Sequence, residues 1–430
     1  MLCVLSAIWA LACSESSSAP NEGVEAISSA NENSSSSVWE KNSFAHLSSV
    51  SDEQERSSSE WNISSVEAVS SASGEIPISF AMSSTASESS SSMKFAASSA
   101  SEDTGESSAG MSSSGEDSIW IKAKSMAELS EKALEHATEF RKSVVDSRTR
   151  NGMYVYSTTV NSYSAAPEKL AARLAVFGFK DVYLSPGSTS YYKNPSDWVK
   201  TFIRTCSSFG MDVHAMRLSV VGGNTDLLTS ENAVDEEVEL VVSYNAQVAE
   251  AEQFSGISAD VEVHTVKSGF SFVWDKDAQS DTLLRMAQST LERAKQTLKK
   301  ANPELKLAEA IAMQYDKYYN IGTFTHGSTS QFLESCDWVI LMDYYTAESQ
   351  YMRYAKTSLD NAQKDRSVNV AIKVKKNANG TIDYFSTWDD MMVAVKDLFN
   401  GYVSYAVNGK LPFRGIDFFT FEGFEQLWSD

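Results

Sequence analysis

The sequence predicts a (β/α)8 barrel preceded by a long serine-rich tether, and three observations carry that expectation. Eight short apolar stretches alternate with segments of helical periodicity, an order that produces a parallel sheet with helical crossovers. The part of the chain that holds them is long enough for a closed barrel, typically about 250 residues with room for additions. The turn after the first stretch, Tyr156-Ser-Thr-Thr-Val-Asn161, lacks the glycines that a doubly wound nucleotide-binding sheet places there.

The elements follow in order. Met126 to Thr149 combines good helix formers with an apolar period and reads as a leading helix that covers the barrel bottom. Met153–Tyr156 is the first strand. A helix from Pro167 to Gly178 follows, with proline at its start and glycine at its end. Asp181–Leu184 is the second strand, and Asp197 is the expected N-cap of a helix running to Phe209. Asp212–Leu218 is the third strand, followed by a loop with Gly222 and Gly223 and a helix from Val234 to Gln253. The fourth strand is Phe254–Glu262. A loop with Phe270, Phe272 and Trp274 leads to a helix over Asp281–Ala301, stopped by Asn302-Pro303. Leu305–Met313 is the fifth strand, and an aromatic loop (Tyr315, Tyr318, Tyr319, Phe324) leads to the sixth, Asp337–Asp343. A helix over Ser349–Lys364, a seventh strand over Val368–Val374, a helix over Trp388–Gly401 and an eighth strand over Arg414–Phe421 complete the series. One helical turn remains after it.

Composition divides the chain into a leader (1–13), a serine-rich segment (14–118) and a globular domain (119–430). Residues 14–117 carry 17 acidic and 3 basic side chains, a net charge of −14 out of −21 for the whole chain. So polar a segment has too little apolar surface to offset its ordering entropy and is expected to be a disordered, charge-extended tether. No apolar run is long enough to span a bilayer. The absence of a basic stripe argues against a nucleic-acid partner. The five histidines show no zinc spacing, so no metal or other cofactor is expected. Cys206 and Cys336 read as two buried thiols. The leader, MLCVLSAIWALA, is apolar and ends in small residues, as a secretory signal does. Its junction, Ala10-Leu11-Ala12-Cys13, resembles the processing site of bacterial lipoproteins. That resemblance implies lipidation at Cys13, export, and a domain held at the membrane through its tether.

Barrels of this kind carry their chemistry at the C-terminal ends of the strands. That rule nominates Tyr156 on strand one, His214 and Arg217 on strand three, Asp260 and Glu262 on strand four, Asp343, Tyr344 and Tyr345 on strand six, Lys373 on strand seven and Glu422 on strand eight. Lys373 is expected to point inward, because Val370, Ile372 and Val374 share the opposite, apolar face. Trp274, Tyr315, Tyr318, Tyr319 and the strand-six tyrosines fall after strand ends, where aromatic faces can pack on sugar rings. Asp260 and Glu262 are the strongest pair. Two residues apart on one strand face, their side chains stand roughly 6–7 Å apart. At that distance one carboxylate raises the pKa of the other, which supplies a general acid near neutrality. The plainer alternative is a polar mouth in which the two acids pair with Lys373 or Arg217. Glu309 alternates with Leu307 and Ile311 and becomes a third carboxylate candidate if it points inward.

Phe254-Ser-Gly-Ile-Ser-Ala-Asp-Val-Glu262 resembles the strand-four signature of family 18 glycoside hydrolases, Phe-Asp-Gly-Ile-Asp-apolar-Asp-aromatic-Glu. Gly256, Ile257, Asp260 and Glu262 match it. Val339-Ile-Leu-Met-Asp-Tyr-Tyr345 is similar to the family's strand-six pattern, Met-x-Tyr-Asp, through Met342 and Tyr344. The resemblance implies a carbohydrate substrate, with Glu262 as general acid, Asp260 positioning an acetamido group and Tyr344 donating a hydrogen bond at the reacting centre. Ser255, Ser258 and Tyr345 stand where that family has aspartates, which keeps open a carbohydrate-binding protein on a degenerate barrel. If the substrate's N-acetyl group is not the nucleophile, Asp343, Glu309 and Glu422 are the candidates.

Overall fold

The computed structural model describes residues 113–220, 225–266, 278–316, 328–374 and 384–429. The leader with Cys13, residues 14–112 of the serine-rich segment, Trp274, Tyr318 and Tyr319 lie outside the described residues, whereas the last residues of that segment, 113–118, are helical, the first turns of the helix Ser113–Ala127, so the structured domain begins earlier than composition indicates.

Eight parallel strands close into a barrel in chain order: β1 (Gly152–Val155), β2 (Asp181–Leu184), β3 (Asp212–Val220), β4 (Gly256–Val261), β5 (Lys306–Ala312), β6 (Trp338–Met342), β7 (Val368–Lys373) and β8 (Phe413–Phe419), with β8 pairing back to β1. The barrel expected from the β–α alternation is the one that forms. Alternation along each strand divides its side chains. Tyr154, Tyr183, Trp338, Ile340, Ala371 and Phe419 pack together inside the barrel. Val155, Val182, Ile257, Leu307, Val339 and Val370 join the larger core between the sheet and the helices. Each fully buried side chain of that size contributes about 1.5–3 kcal/mol relative to exposure.

Two glycines are dictated by geometry. A Cβ at Gly256 would fall 2.1 Å from the Lys306 carbonyl oxygen, so β4 can lie this close to β5 only without a side chain there. Gly178 ends the helix Pro167–Phe177 at φ +85°, a left-handed cap.

Several boundaries differ from the sequence reading. The leading helix is two helices, Ser113–Ala127 and Glu131–Val144. They break at Glu128 (φ +49°), and Ser130 caps the second by accepting from the Ala133 amide. The second helix packs on the outer wall rather than across the bottom. Phe140 meets Phe418, Phe424 and Phe177 at ring-centroid distances of 5.5, 5.9 and 6.0 Å. Ser196, not Asp197, caps the helix Asp197–Ser208, because its hydroxyl reaches the Val199 amide. The helix after β3 is Glu231–Ala246, capped by Ser230. The aromatic loop after β5 ends in a short helix, Thr329–Ser335. β8 stops at Phe419, and Phe421–Ser429 is a nine-residue helix that buries Phe424 and Trp428. Cys206 and Cys336 are free and buried, as expected.

The barrel floor is a buried polar network. Asp181, fully buried on β2, accepts from Arg150 and pairs with Arg414, each at 2.9 Å, and meets His214 Nε2 at 3.1 Å. Asp417 accepts from Asn369 Nδ2 (2.6 Å) and the Tyr183 hydroxyl (2.9 Å), and burial pushes its carboxyl up to about 7. His214 therefore belongs to the floor and not to the mouth. As the third residue of β3 it sits level with Tyr183, too near the N-terminal end of its strand to reach the rim.

Candidate active site

Strand β4 delivers Ser258 and Asp260 to the barrel's inner face, and Glu262 follows directly after its last residue, Val261, as the first residue of the turn beyond. Asp260 and Glu262 are each only 6% exposed. Asp260 lines a narrow cavity at the C-terminal end of the barrel with Tyr154, Met216, Met342, Tyr344 and Phe419. The backbone carrying both acids is held from either side. The Glu262 amide donates to the Val220 carbonyl on β3 (3.0 Å). The Glu262 carbonyl accepts from the Thr265 amide (2.9 Å) and hydroxyl (2.8 Å) in the turn that follows. On the other side the β4–β5 ladder ends at Ala259 and Glu309. There the Glu309 side chain takes over, its Oε1 accepting from the Val261 amide at 3.1 Å.

Burial pushes the Asp260 carboxyl well above the usual carboxylate range, and the charges of Glu262 and Glu309 add to the effect. Burial also lifts Glu262, to about 7, while the Lys373 ammonium pulls it down. Near neutrality Glu262 is thus poised between acid and carboxylate, beside an Asp260 whose burial favours its protonated form, two groups titrating as a pair. Neither Asp260 oxygen, nor Glu262 Oε2, has a hydrogen-bond partner among the described residues. Leaving a buried polar group unpaired costs about 1–3 kcal/mol. The arrangement places that cost where an incoming ligand can relieve it.

Lys373 points into the barrel, as expected from the apolar run of β7. Its ammonium lies 4.3 Å from the Tyr384 ring centroid, 5.2 Å from that of Phe419 and 5.6 Å from that of Tyr344. Tyr156 also belongs to the mouth, edge-on to Phe419 at 5.6 Å. Tyr384 and Phe419 are mouth residues that the sequence reading does not nominate. Phe419 is recoverable by alternation from Gly415 and Asp417. Tyr384 stands in a loop without periodicity and carries no such signal.

Other nominated residues turn away. Arg217 donates through Nε to Glu237 on the helix Glu231–Ala246 (2.6 Å) and stacks on Tyr192 at 5.1 Å. A bulge between Met216 and Ser219, with Leu218 at φ +59°, leaves Arg217 and Leu218 on the outer side of β3. Asp343 lies between Met342 and Tyr344, which both line the cavity, so it faces the helical layer, fully buried. Tyr345 stacks on Tyr354 of the helix Glu348–Asn361 at 5.3 Å, away from the mouth. Glu422 sits in the first turn of the last helix and accepts from Thr159 at 3.3 Å, off the end of β8. Glu309, with Leu307 and Ile311, lies on the outer face of β5. Burial holds the His264 imidazole down at about 4, and its Nδ1 meets the Tyr315 hydroxyl at 3.1 Å, so near neutrality it is an uncharged loop residue. Among the described residues no cluster of His, Cys, Asp and Glu could hold a metal ion, and no helix is long and apolar enough to cross a membrane.

No family model matches the chain, and no curated protein matches it. Solved structures do. A GH18 chitinase from Pseudoalteromonas aurantia is 14% identical over 65% of this chain and 97% of that one, with a TM-score of 0.39. A plant class V chitinase mutant from Cycas revoluta, solved in complex with (GlcNAc)3, is 14% identical over 65% of this chain and 98% of that one, with a TM-score of 0.40. The exo-β-1,4-mannosidase Op5Man5 from Opitutaceae bacterium strain TAV5 is 10% identical over 63% of this chain and 52% of that one, with a TM-score of 0.42.

Proposed function

We propose that the protein is a glycoside hydrolase acting on an oligo- or polysaccharide, with Glu262 as its general acid. The observation that carries this reading is a buried carboxyl held near pKa 7 at the C-terminal mouth of a (β/α)8 barrel, two residues along the chain from a second buried carboxyl on which its charge acts. In the first step the Glu262 proton passes to the glycosidic oxygen as the bond from that oxygen to C1 breaks. Asp260, whose carboxyl oxygens have no hydrogen-bond partner among the described residues, orients the sugar bound above it, and Tyr344 bounds the same cavity.

Asp343, Glu309 and Glu422 do not present carboxylates to the mouth. Among the described residues Asp260 is the only other carboxyl there, and it stands on the same strand as the acid. This favours a nucleophile borne by the substrate, the carbonyl oxygen of a 2-acetamido group, which closes on C1 as the leaving group departs. Water then opens the resulting ring, with the Glu262 carboxylate taking its proton. Incubation of the full chain with chitotetraose, other N-acetylated oligosaccharides and non-acetylated controls tests the reading. New reducing ends are expected from N-acetylated substrates alone.

A second reading, a carbohydrate-binding protein without activity, is favoured by Ser258, which lies beneath Asp260 on the inner face and provides no third carboxyl to pass protons to it. Retention of a glycan without any product after prolonged incubation would select it. We further propose that the chain is exported and lipidated at Cys13, a reading supported by the apolar leader and the serine-rich stretch behind it. Radiolabelled palmitate fed to an expressing bacterium is expected to enter the wild type and not Cys13→Ala. Equal labelling of the two would remove the proposal.

A further inference from the structure

The two acids of the mouth stand on a strand end that one neighbour holds and the other has left. Toward β3, β4 is paired as far as Val261, opposite Val220, and the Glu262 amide adds a bond to the Val220 carbonyl at 3.0 Å. Toward β5, pairing stops at Ala259 and Glu309, although β5 itself goes on pairing with β6 as far as Ala312. Asp260, Val261 and Glu262 have therefore parted from β5. Backbone amides alternate sides along a strand. Because the Glu262 amide turns to β3, the Val261 amide turns to the gap. What meets it there is a side chain in place of a backbone carbonyl: Glu309 Oε1, at 3.1 Å.

A carboxyl is an unfavourable choice for that place. Glu309 is fully buried on the outer face of β5, in step with Leu307 and Ile311, and its Oε2 has no hydrogen-bond partner among the described residues. Burying a polar group that is only half satisfied lowers stability, and an apolar side chain of similar length would fill the same space without that loss. Such a side chain would lack the oxygen. The N–H that Glu309 holds belongs to the peptide joining Asp260 to Val261, so this one bond fixes the piece of backbone between the two acids. We propose that Glu309 is a positioning residue: its side chain closes the gap between β4 and β5 and thereby sets the direction in which Asp260 and Glu262 enter the mouth. This rests on the glycosidase reading above. Glu309 itself touches neither the sugar nor the reacting atoms. Direction matters because a catalytic group displaced by about 1 Å loses about 10²-fold in rate.

The test compares Glu309→Gln and Glu309→Met in the full chain. Glutamine keeps a carbonyl oxygen at the same reach, and methionine matches the length without an acceptor. On N-acetylated oligosaccharides Glu309→Met is expected to lose about 10²-fold in kcat with little change in KM, whereas Glu309→Gln keeps most of the wild-type rate. Hydrogen exchange resolved at the Val261 amide reads the bond without reference to activity. It should be slow in the wild type and Glu309→Gln and fast in Glu309→Met. If Glu309→Met does not fold, Glu309→Asp takes its place, with the carboxyl drawn back by one methylene and the same losses expected. Wild-type kcat in Glu309→Met, a glutamine variant as poor as the methionine one, a loss confined to KM, or fast Val261 exchange in the wild type would overturn the inference. Each of these results, found in a chain that cleaves N-acetylated glycans, leaves the hydrolase intact. A wild type that cleaves no glycan overturns the hydrolase reading and the positioning role with it, and slow Val261 exchange that depends on Glu309 would then mark the bond as a tie of the fold alone.

Discussion

Glu262→Gln is expected to lower kcat by about 10³-fold while KM changes little, in the middle of the range for loss of a general acid. Glutamine preserves shape and polarity, so sugar binding persists, but it has no proton to give to the leaving oxygen. A loss shared equally by kcat and kcat/KM is the signature of an interaction made in the transition state. The pH dependence gives an independent check. The working form is the protonated one, and burial sets the pKa of Glu262 at about 7 against the pull of Lys373. The wild-type kcat/KM should therefore hold below pH 7 and fall about tenfold per pH unit above it, and the residual activity of Glu262→Gln should lack that limb. Glu262→Gln turning over N-acetylated oligosaccharides at the wild-type rate would end the assignment.

Much of this architecture was legible in the sequence, and the misses share a physical origin. All eight strands sit where short apolar stretches alternate with helical segments, because parallel strands covered on both faces need continuous apolar runs. Asp260, Glu262 and Lys373 are brought together because period-two alternation holds on β4 and β7 alike. Where the strand-end rule was applied without alternation it overreached. His214 and Arg217 lie three apart and cannot share a face of a regular strand. Asp343 and Tyr344 are neighbours and must face opposite ways, and the one that lines the cavity is Tyr344. The bulge at Leu218 and the side-chain bond from Glu309 to the Val261 amide depend on how adjacent strands diverge, which no single strand encodes. The floor network joins residues from β2, β3, β7 and β8, and its charges read as ordinary strand-end polar residues until the barrel closes.

That floor and the mouth should respond to substitution with opposite signs. Asp181 is buried among two guanidinium groups and His214, and these neighbours hold its carboxyl far below the ordinary value. Removing one partner of such a buried set costs about 3–5 kcal/mol, so Asp181→Asn should lower the denaturation midpoint sharply at pH 7. Because the folded pKa is depressed, the stabilisation is complete above pH 4 and is lost as pH falls below it, so the gap between wild type and Asp181→Asn should narrow in acid. Glu262 behaves inversely. Its pKa rises on folding from 4.5 to about 7, so the folded state holds a proton that the unfolded chain has released. Stability from this group therefore declines between about pH 4.5 and 7, by roughly 3 kcal/mol in all, and stays level above that. Glu262→Gln removes the decline and should be more stable than wild type at pH 8, with the advantage shrinking toward pH 4. Urea unfolding of the three proteins at pH 4, 6 and 8 measures both effects. Destabilisation by both substitutions at pH 8 would contradict the argument, because it would make Glu262 a structural partner like Asp181 rather than a group whose burial costs stability and is retained for its proton.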